Sequence, residues 1–125
     1  MKKVIVTGGL GFIGSNLIKI LNKKYFVINI DKVTYASNYK NIDPEIKNYK
    51  FYKQDINNKF FIKKILKKYR PSIIFNLAAE THVDRSIDGP KKFIESNIIG
   101  VFNLLEAIRD YKKKTKLIHI STDEV

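Results

Sequence analysis

The sequence predicts an α/β fold in which helices cover both faces of a parallel sheet of about five strands. Two observations predict it. Short, nearly continuous apolar runs recur along the chain, as in strands that are buried on both faces of a parallel sheet. Helical apolar patterns separate these runs, and this alternation is typical of a doubly wound sheet with right-handed crossovers. The 125 residues suit one domain with a single core.

Five segments are predicted as strands. Four are apolar runs, at residues 4–6, 27–30, 73–77 and 117–120. The fifth, at 49–52, alternates more between lysine and aromatic residues, which is typical of a strand nearer the edge of a sheet.

Three helices are predicted between these strands. The first covers roughly residues 11–24, the second ends at Arg70-Pro71, and the third follows Pro90. One side of the third helix carries Phe93, Ile94, Asn97, Ile98, Val101, Leu104, Leu105 and Ile108. This apolar stripe either covers the sheet or forms a surface between subunits. Residues 32–48 form the one long irregular connection, and connections of that length are often functional.

The composition excludes several classes of function. The net charge is +12, but lysines 63, 64, 67 and 68 fall between apolar residues, as on the wet face of an amphipathic helix. No nucleic-acid-binding motif accompanies them, so a solvated surface is favoured over a polyanion site. There is no cysteine, and the two histidines lack ligand-like spacing, so no metal site is predicted. No stretch has signal-peptide or membrane-span character, which favours a cytoplasmic protein without a membrane partner.

A glycine-rich turn joins the first predicted strand to the first helix. Residues 7–14 read TGGLGFIG, with glycines at 8, 11 and 14. The first two permit a tight turn and a close approach to a pyrophosphate, and the third allows the helix to pack against the strand. The helix N-terminus then offers its N–H groups to the phosphates. This context predicts a Rossmann-type dinucleotide site rather than a glycine-rich turn of an unrelated α/β protein.

Asp31 ends the second predicted strand, about 20 residues beyond the glycines, where an acidic residue accepts hydrogen bonds from the adenosine ribose. This position favours NAD, because a 2′-phosphate would meet a like charge, although Lys32 partly offsets that charge. Asp55 and Ile56 follow the strand near residues 49–53. They are predicted either to contact the adenine ring or, for Asp55, to cap a helix.

Together these features resemble the extended short-chain dehydrogenase/reductase superfamily. The TGxxGxxG spacing around Phe12 and Ile13 is typical of extended members, and the NLAA sequence at 76–79 resembles their strand ending beside the nicotinamide ribose. Segments 31–38, 79–86 and 120–125 narrow the resemblance to the dTDP-glucose 4,6-dehydratases. The most discriminating feature is the acidic pair at 123 and 124, because sugar 4-epimerases carry small hydroxyl residues there.

The resemblance implies an enzyme that borrows NAD and returns it unchanged in each turnover. Hydride leaves sugar C4, water is eliminated across C5 and C6, and the hydride is delivered to C6. Glu124 would remove the C5 proton, Asp123 would protonate the departing C6 oxygen, and Thr122 would hydrogen-bond the C4 oxygen. On its own, the same sequence would be interpreted as an ordinary strand end.

The resemblance also extends the predicted binding site. A nucleotide sugar would be the substrate, contacted by Thr81 and Thr122. The predicted NAD contacts are Gly8, Gly11, Phe12, Ile13, Gly14, Asp31, Lys32, Thr34, Asp55, Ile56, Leu77, Ala78, Ala79, Thr81 and Ser96. The family tends to form homodimers, with the third helix as a candidate surface, so a homodimer is expected of the full-length enzyme.

The chain departs from the family pattern in one respect. The Tyr-x-x-x-Lys pair of the superfamily, which takes the C4 hydroxyl proton, would lie beyond residue 125. The one match to that spacing, Tyr49 with Lys53, lies in a predicted strand, where residues four apart are roughly 13 Å apart. We therefore interpret it as coincidence. The hypothesis that follows is a truncated NAD-binding domain, residues 1–125 of a longer enzyme, which alone binds NAD weakly and turns over nothing.

Two alternatives remain open at this stage. One keeps the superfamily but changes the chemistry, as in a sugar-nucleotide epimerase or decarboxylase. The other is a dinucleotide-binding module without catalytic activity, which the absence of a helical Tyr-x-x-x-Lys pair would suit. Fold alone does not separate these possibilities, because this architecture hosts many chemistries.

Overall fold

A computed structural model describes residues 1–33, 39–43, 45–77 and 98–120. The strands are β1 (Lys3–Thr7), β2 (Phe26–Asp31), β3 (Tyr49–Lys53), β4 (Ile73–Asn76) and β5 (Lys116–His119). The helices are α1 (Phe12–Leu21), α2 (Lys59–Tyr69) and α3 (Gly100–Tyr111), with one turn of 3-10 helix at Tyr39–Asn41. These elements confirm the predicted strand positions to within one or two residues.

The five strands form one parallel sheet in the order β3-β2-β1-β4-β5. The predicted doubly wound architecture is confirmed, and β3 lies at an edge as its sequence pattern indicates. The chain runs outward from β1 in one direction through β2 and β3, and in the other through β4 and β5. The strand order therefore reverses between β1 and β4, which is where ligands bind in open α/β sheets.

Alternate residues of each strand feed two separate cores, because successive side chains point to opposite faces. On one face, Val4, Val6 and Val27 pack with Ile18 of α1. On the other face, strand isoleucines pack under α2 and α3; this cluster comprises Ile5, Ile28, Ile30, Ile62, Ile65, Leu66, Ile74, Leu104 and Ala107. Both faces of the central strand are thus buried, which explains its continuous apolar sequence.

The helix ends follow from local chemistry. Helix α1 ends at Leu21, and residues 22–24 form a turn, so the predicted extent to residue 24 is too long. Asn58 caps α2 by accepting a hydrogen bond from the Phe61 amide, and Arg70 ends it in the left-handed conformation with φ 49°. Three of the four lysines predicted on the wet face of α2 are exposed, namely Lys64, Lys67 and Lys68. Lys63 is half-buried and lies 2.8 Å from the Asp110 carboxylate of α3.

The predicted apolar side of the third helix is only partly right. Leu104 is buried, and Val101 and Ile108 are half-buried, but Ile98 is 62% exposed and Leu105 is 49% exposed. Ala107 and Gly100 are buried instead, on the same side of the helix as Leu104. Residues succeed one another by about 100° around a helix, so the stripe through 100, 104 and 107 leaves 105 to one side. No helix in the described part of the chain has the length and apolar character needed to cross a membrane.

Candidate functional site

The glycine-rich turn lies at the carboxyl end of β1, beside the point where the strand order reverses. Gly8 has φ 73°, a conformation that side chains with a Cβ rarely adopt, and its amide donates to the Ile30 carbonyl of β2 at 2.8 Å. A Cβ on Gly14 would overlap the Gly8 carbonyl and lie 2.8 Å from Gly9 Cα. Gly14 therefore lets α1 pack against the turn itself, whereas the sequence predicted packing against the strand.

Gly11 is required by neither of these constraints. Its φ is −73°, and a Cβ there would meet its nearest neighbour, the Gly8 carbonyl, at an ordinary 3.4 Å. It occupies the N-cap of α1 and makes no side-chain cap. The first amides of a helix have no carbonyl partner within the helix, so this end presents N–H donors and a positive dipole end. The missing side chain gives an anion room to approach those donors.

Three side chains hold the turn from outside. Asn29 Oδ1 accepts a hydrogen bond from the Gly9 amide at 2.9 Å, and Asp31 Oδ2 accepts one from the Leu10 amide at 2.9 Å. Asn41 Nδ2 donates to the Leu10 carbonyl at 2.8 Å. Neither Asn29 nor Asn41 was among the residues predicted for the site. The signal for Asn29 was available as an amide inside the apolar run 27–30, whereas nothing local indicates Asn41.

Asp31 sits at the carboxyl end of β2, as predicted, and is only 5% exposed. Its second oxygen, Oδ1, accepts from the Val33 amide at 2.7 Å, where Val33 has φ 63°. The carboxylate thus ties the glycine turn to the connection that follows β2.

Lys32 and Asp55 lie next to one another, with Nζ 4.0 Å from Oδ2. The Asp55 carboxylate also accepts from the Asn57 amide at 2.9 Å. It does not cap α2, because Asn58 does, so the capping alternative for Asp55 is wrong. Ile56 is 4% exposed and belongs to the interior.

A second set of polar side chains joins the carboxyl ends of β1, β4 and β5, and we call it the strand-end chain. The Leu77 amide donates to Thr7 Oγ1 at 3.1 Å, and Thr7 Oγ1 donates to Asn76 Oδ1 at 2.5 Å. Asn76 Nδ2 lies 3.1 Å from His119 Nδ1. Because Asn76 Oδ1 already accepts from Thr7, its Nδ2 must donate, which makes His119 Nδ1 an acceptor.

The described residues bring together one part of the predicted site. Gly8, Gly11 and Gly14 surround the turn, Asp31 contacts it, and Leu77 lies across the strand-order reversal. Phe12 and Ile13, the first two residues of α1, are 79% and 63% exposed. Outside the described residues lie Thr34, Ala78, Ala79, Thr81, Ser96, Thr122, Asp123 and Glu124.

Known proteins resemble the chain over nearly its whole length. A dTDP-glucose 4,6-dehydratase of Neisseria meningitidis serogroup B is 43% identical, over 100% of this chain and 39% of its own length. The solved dTDP-glucose 4,6-dehydratase of Streptomyces venezuelae, with NAD bound, is 36% identical with TM-score 0.88, over 98% of this chain and 40% of its own. A UDP-glucose 4-epimerase of Thermotoga maritima, solved with UDP-glucose, is 35% identical with TM-score 0.85, over 96% and 38%.

This chain thus spans about two fifths of the length of the relatives it matches. The family model described as GDP-mannose 4,6 dehydratase matches residues 5–125, which include the glycine turn, the strand-end chain and all five strands after the first two residues of β1. The chain belongs to the GDP-mannose 4,6-dehydratase family.

Proposed function

We propose that residues 1–125 form the NAD-binding domain of an enzyme that dehydrates a nucleotide sugar, converting dTDP-glucose to dTDP-4-dehydro-6-deoxyglucose. The observation that carries the proposal is the glycine turn. Its backbone is held by side chains of β2, it opens onto the uncapped N-terminus of α1, and Asp31 lies beside it. This arrangement suits the pyrophosphate and ribose of a dinucleotide.

The charged residues at this end of β2 fit NAD better than its 2′-phosphorylated form. Asp31 would accept from the adenosine ribose, and its charge would repel a 2′-phosphate placed there. The neighbouring cation, Lys32, is already opposite the Asp55 carboxylate. The relative from Streptomyces venezuelae, solved with NAD, supports the same cofactor. NAD supplies a reversible hydride acceptor when it is bound.

The chemistry of the remaining steps would come from residues 122–124. Thr122 would hold the sugar C4 oxygen, Glu124 would take the C5 proton that the C4 ketone makes acidic, and Asp123 would protonate the departing C6 oxygen. Thr81 would contact the same sugar or the nicotinamide ribose, and Thr34, Ala78, Ala79 and Ser96 would complete the cofactor contacts. The dTDP-glucose 4,6-dehydratases at 43% and 36% identity support this substrate class.

A sugar-nucleotide epimerase is the second candidate, and the match to the Thermotoga maritima epimerase favours it. The two differ in the product, because dehydration removes one water and epimerisation conserves mass. We expect the complete gene product containing this chain to convert dTDP-glucose to a product lighter by one water, detected by mass spectrometry. Glu124→Gln should abolish that product. A product of unchanged mass would favour the epimerase.

The cofactor part of the proposal is tested by calorimetric titration of this chain with NAD and NADP. We expect NAD to bind more tightly than NADP, and Asp31→Asn to reduce that preference because it removes the charge facing the 2′-position. Lys19→Met, in the last turn of α1, is the matched control and should leave both affinities unchanged. Equal affinity for the two cofactors in the unmodified chain would contradict the assignment.

Two further parts of the proposal concern the complete enzyme. It would form a homodimer, since α3 exposes Phe102 (60%) and Leu105 (49%) on its outer side, and exposed apolar patches commonly mark contact surfaces. We expect Phe102→Ser to reduce the dimer fraction in sedimentation measurements. The enzyme would be cytoplasmic, where nucleotide sugars and NAD are available, with no nucleic-acid or membrane partner.

A further inference from the structure

Asn29 is an amide in the middle of β2, fully buried between apolar neighbours in the sequence. Burying an amide is costly unless it is hydrogen-bonded. Its Oδ1 accepts from the Gly9 amide at 2.9 Å, and its Nδ2 donates to the Tyr49 hydroxyl at 3.0 Å. We call Tyr49, Asn29 and Gly9 the glycine-turn chain. It runs from the edge strand β3, through β2, to the backbone of the turn.

The fit between Asn29 and the turn is steric as well as polar. A Cβ added to Gly9 would overlap Asn29 Oδ1 and Cγ and the Ile18 side chain. Gly9 is not one of the three spaced glycines of the motif, so the glycine spacing does not explain it. The close approach of the Asn29 amide does explain it.

Tyr49 supports the buried amide from the far side. Its ring packs, partly buried, on the same face of the sheet as α1. Burial raises the pKa of the Tyr49 phenol, the hydrogen bond with Asn29 lowers it, and the Asp31 carboxylate raises it, for a pKa above the ordinary value of 10.0. The hydroxyl therefore stays protonated and remains an uncharged partner for the Asn29 amide.

We infer that Tyr49 and Asn29 are positioning residues for cofactor binding, a role that rests on the proposed NAD site. Through the glycine-turn chain they hold the Gly9 peptide in place before the dinucleotide arrives. Ordering a loop during binding lowers affinity, so a loop ordered in advance binds more tightly. Tyr49 acts indirectly, through Asn29, which bonds both the Tyr49 hydroxyl and the Gly9 amide of the turn.

The test compares two tyrosines of the same strand. Tyr49→Phe removes the hydroxyl that bonds Asn29. The control, Tyr52→Phe, removes a hydroxyl on the opposite face of β3, where it lies 2.6 Å from the Tyr69 hydroxyl. Each variant loses one hydrogen bond, and thermal unfolding measures the loss of stability. The loss should be larger for Tyr49→Phe, which deprives Nδ2 of the buried Asn29 of this acceptor. Only Tyr49→Phe touches the glycine-turn chain.

Two quantities are measured on the 125-residue chain: the hydrogen-exchange rate of the Gly9 amide by NMR, and the NAD dissociation constant by calorimetry. We expect Tyr49→Phe to raise both by about 2- to 10-fold, the equivalent of one net hydrogen bond. Tyr52→Phe should change neither by more than about twofold. A general loss of stability would not change the exchange rate of the Gly9 amide specifically. Such a specific change therefore distinguishes a positioning role from a merely structural one.

The contrary outcomes are distinct. If Tyr49→Phe and Tyr52→Phe change Gly9 exchange equally, or if Gly9 exchange rises while NAD affinity does not change, the inference is wrong. If the unmodified chain binds no NAD at all, the proposed function of this site fails. The Gly9 exchange rate then still decides whether Tyr49 and Asn29 hold the turn.

Discussion

The two hydrogen-bonded chains at the carboxyl edge of the sheet end in different kinds of place. The glycine-turn chain lies on the α1 face and ends at a main-chain amide of the turn, at Gly9. The strand-end chain lies on the α2 and α3 face and ends at His119, an exposed side chain at the end of β5. The strand-end chain also includes a main-chain amide, that of Leu77, but its other end is a side chain, His119, that lies close in sequence to residues 121–124.

The difference indicates that the hydrogen-bonded chains on the two faces of the sheet have different roles. A hydrogen bond from a buried side chain to the backbone holds a loop rigidly, because such a bond is shielded from water. The strand-end chain instead fixes the spacing of β1, β4 and β5, the strands whose ends precede the predicted nicotinamide and catalytic residues. Thr7 and Asn76 are 0% and 1% exposed, so this spacing is set from inside the sheet.

The largest effect should come from a change that touches neither chain. Leu66→Ala empties a fully buried position beneath α2 and should lower the free energy of unfolding by about 2–5 kcal/mol. Chemical denaturation measures the loss. Below the unfolding transition, NMR shifts of the Gly9 amide and the His119 ring should be unchanged. Changed NMR shifts at both Gly9 and His119 would mean that the two hydrogen-bonded chains depend on the general packing of the core and do not act independently.

The turn itself should respond strongly to Gly14→Ala, since the new Cβ overlaps Gly8 and the turn must move. We expect a loss of about 1–3 kcal/mol in unfolding free energy together with loss of NAD binding. Gly11→Ala is the matched control, because its Cβ has ordinary room. It should keep the thermal midpoint and weaken only NAD binding. If Gly14→Ala and Gly11→Ala have the same thermal midpoint, the turn accommodates the extra Cβ more easily than its contacts indicate.

The strand-end chain is broken by Asn76→Ala. This change removes the hydrogen bond from the Thr7 hydroxyl to Asn76 Oδ1, and the expected loss is about 1–2 kcal/mol of unfolding free energy. His119 also loses the donor facing Nδ1, so nitrogen NMR should show a mixture of ring tautomers in place of the Nε2-protonated form. Asn76→Asp keeps an acceptor for Thr7 and should retain more stability. If the tautomer of His119 is unchanged in Asn76→Ala, the strand-end chain does not determine it.

The smallest effect is expected at an exposed carboxylate outside both chains. The hydrogen bond from Lys63, at 2.8 Å, lowers the pKa of Asp110, with Lys59 adding at 3.7 Å. A lowered pKa gives stability that is complete above the ordinary value of 3.8 and is lost as pH falls through the lowered pKa.

The thermal midpoint of the unmodified chain should therefore exceed that of Asp110→Asn slightly at neutral pH. The difference should shrink in acid, below pH 3.8. Lys63→Met should give the same profile because it removes the main partner of Asp110. A difference that stays constant with pH would show that Asp110 contributes through packing and not through charge.

Local sequence determined the sheet and the glycine turn. Strands buried on both faces must have apolar sequences. A helix that begins at Phe12, directly after the glycine N-cap, must expose its first amides. The position of Asp31 followed from the length of one strand–helix–strand unit. The error in the third helix, where Leu105 proved exposed, has the opposite origin. Periodicity predicts an apolar stripe on the helix, but the packing of neighbouring elements determines which residues lie at the centre of that stripe.

Only the tertiary structure decided which side chains meet. Tyr49 lies 40 positions from Gly9, and Asn41 of the 3-10 helix lies 31 positions from Leu10. Parallel pairing of β1, β2 and β3 nevertheless brings both pairs of residues to the same turn. The same holds for Thr7, Asn76 and His119, which meet because β4 pairs with β1 on one side and β5 on the other. Sequence fixes the local conformation through backbone preferences, whereas these hydrogen bonds depend on strand order, which no local pattern specifies.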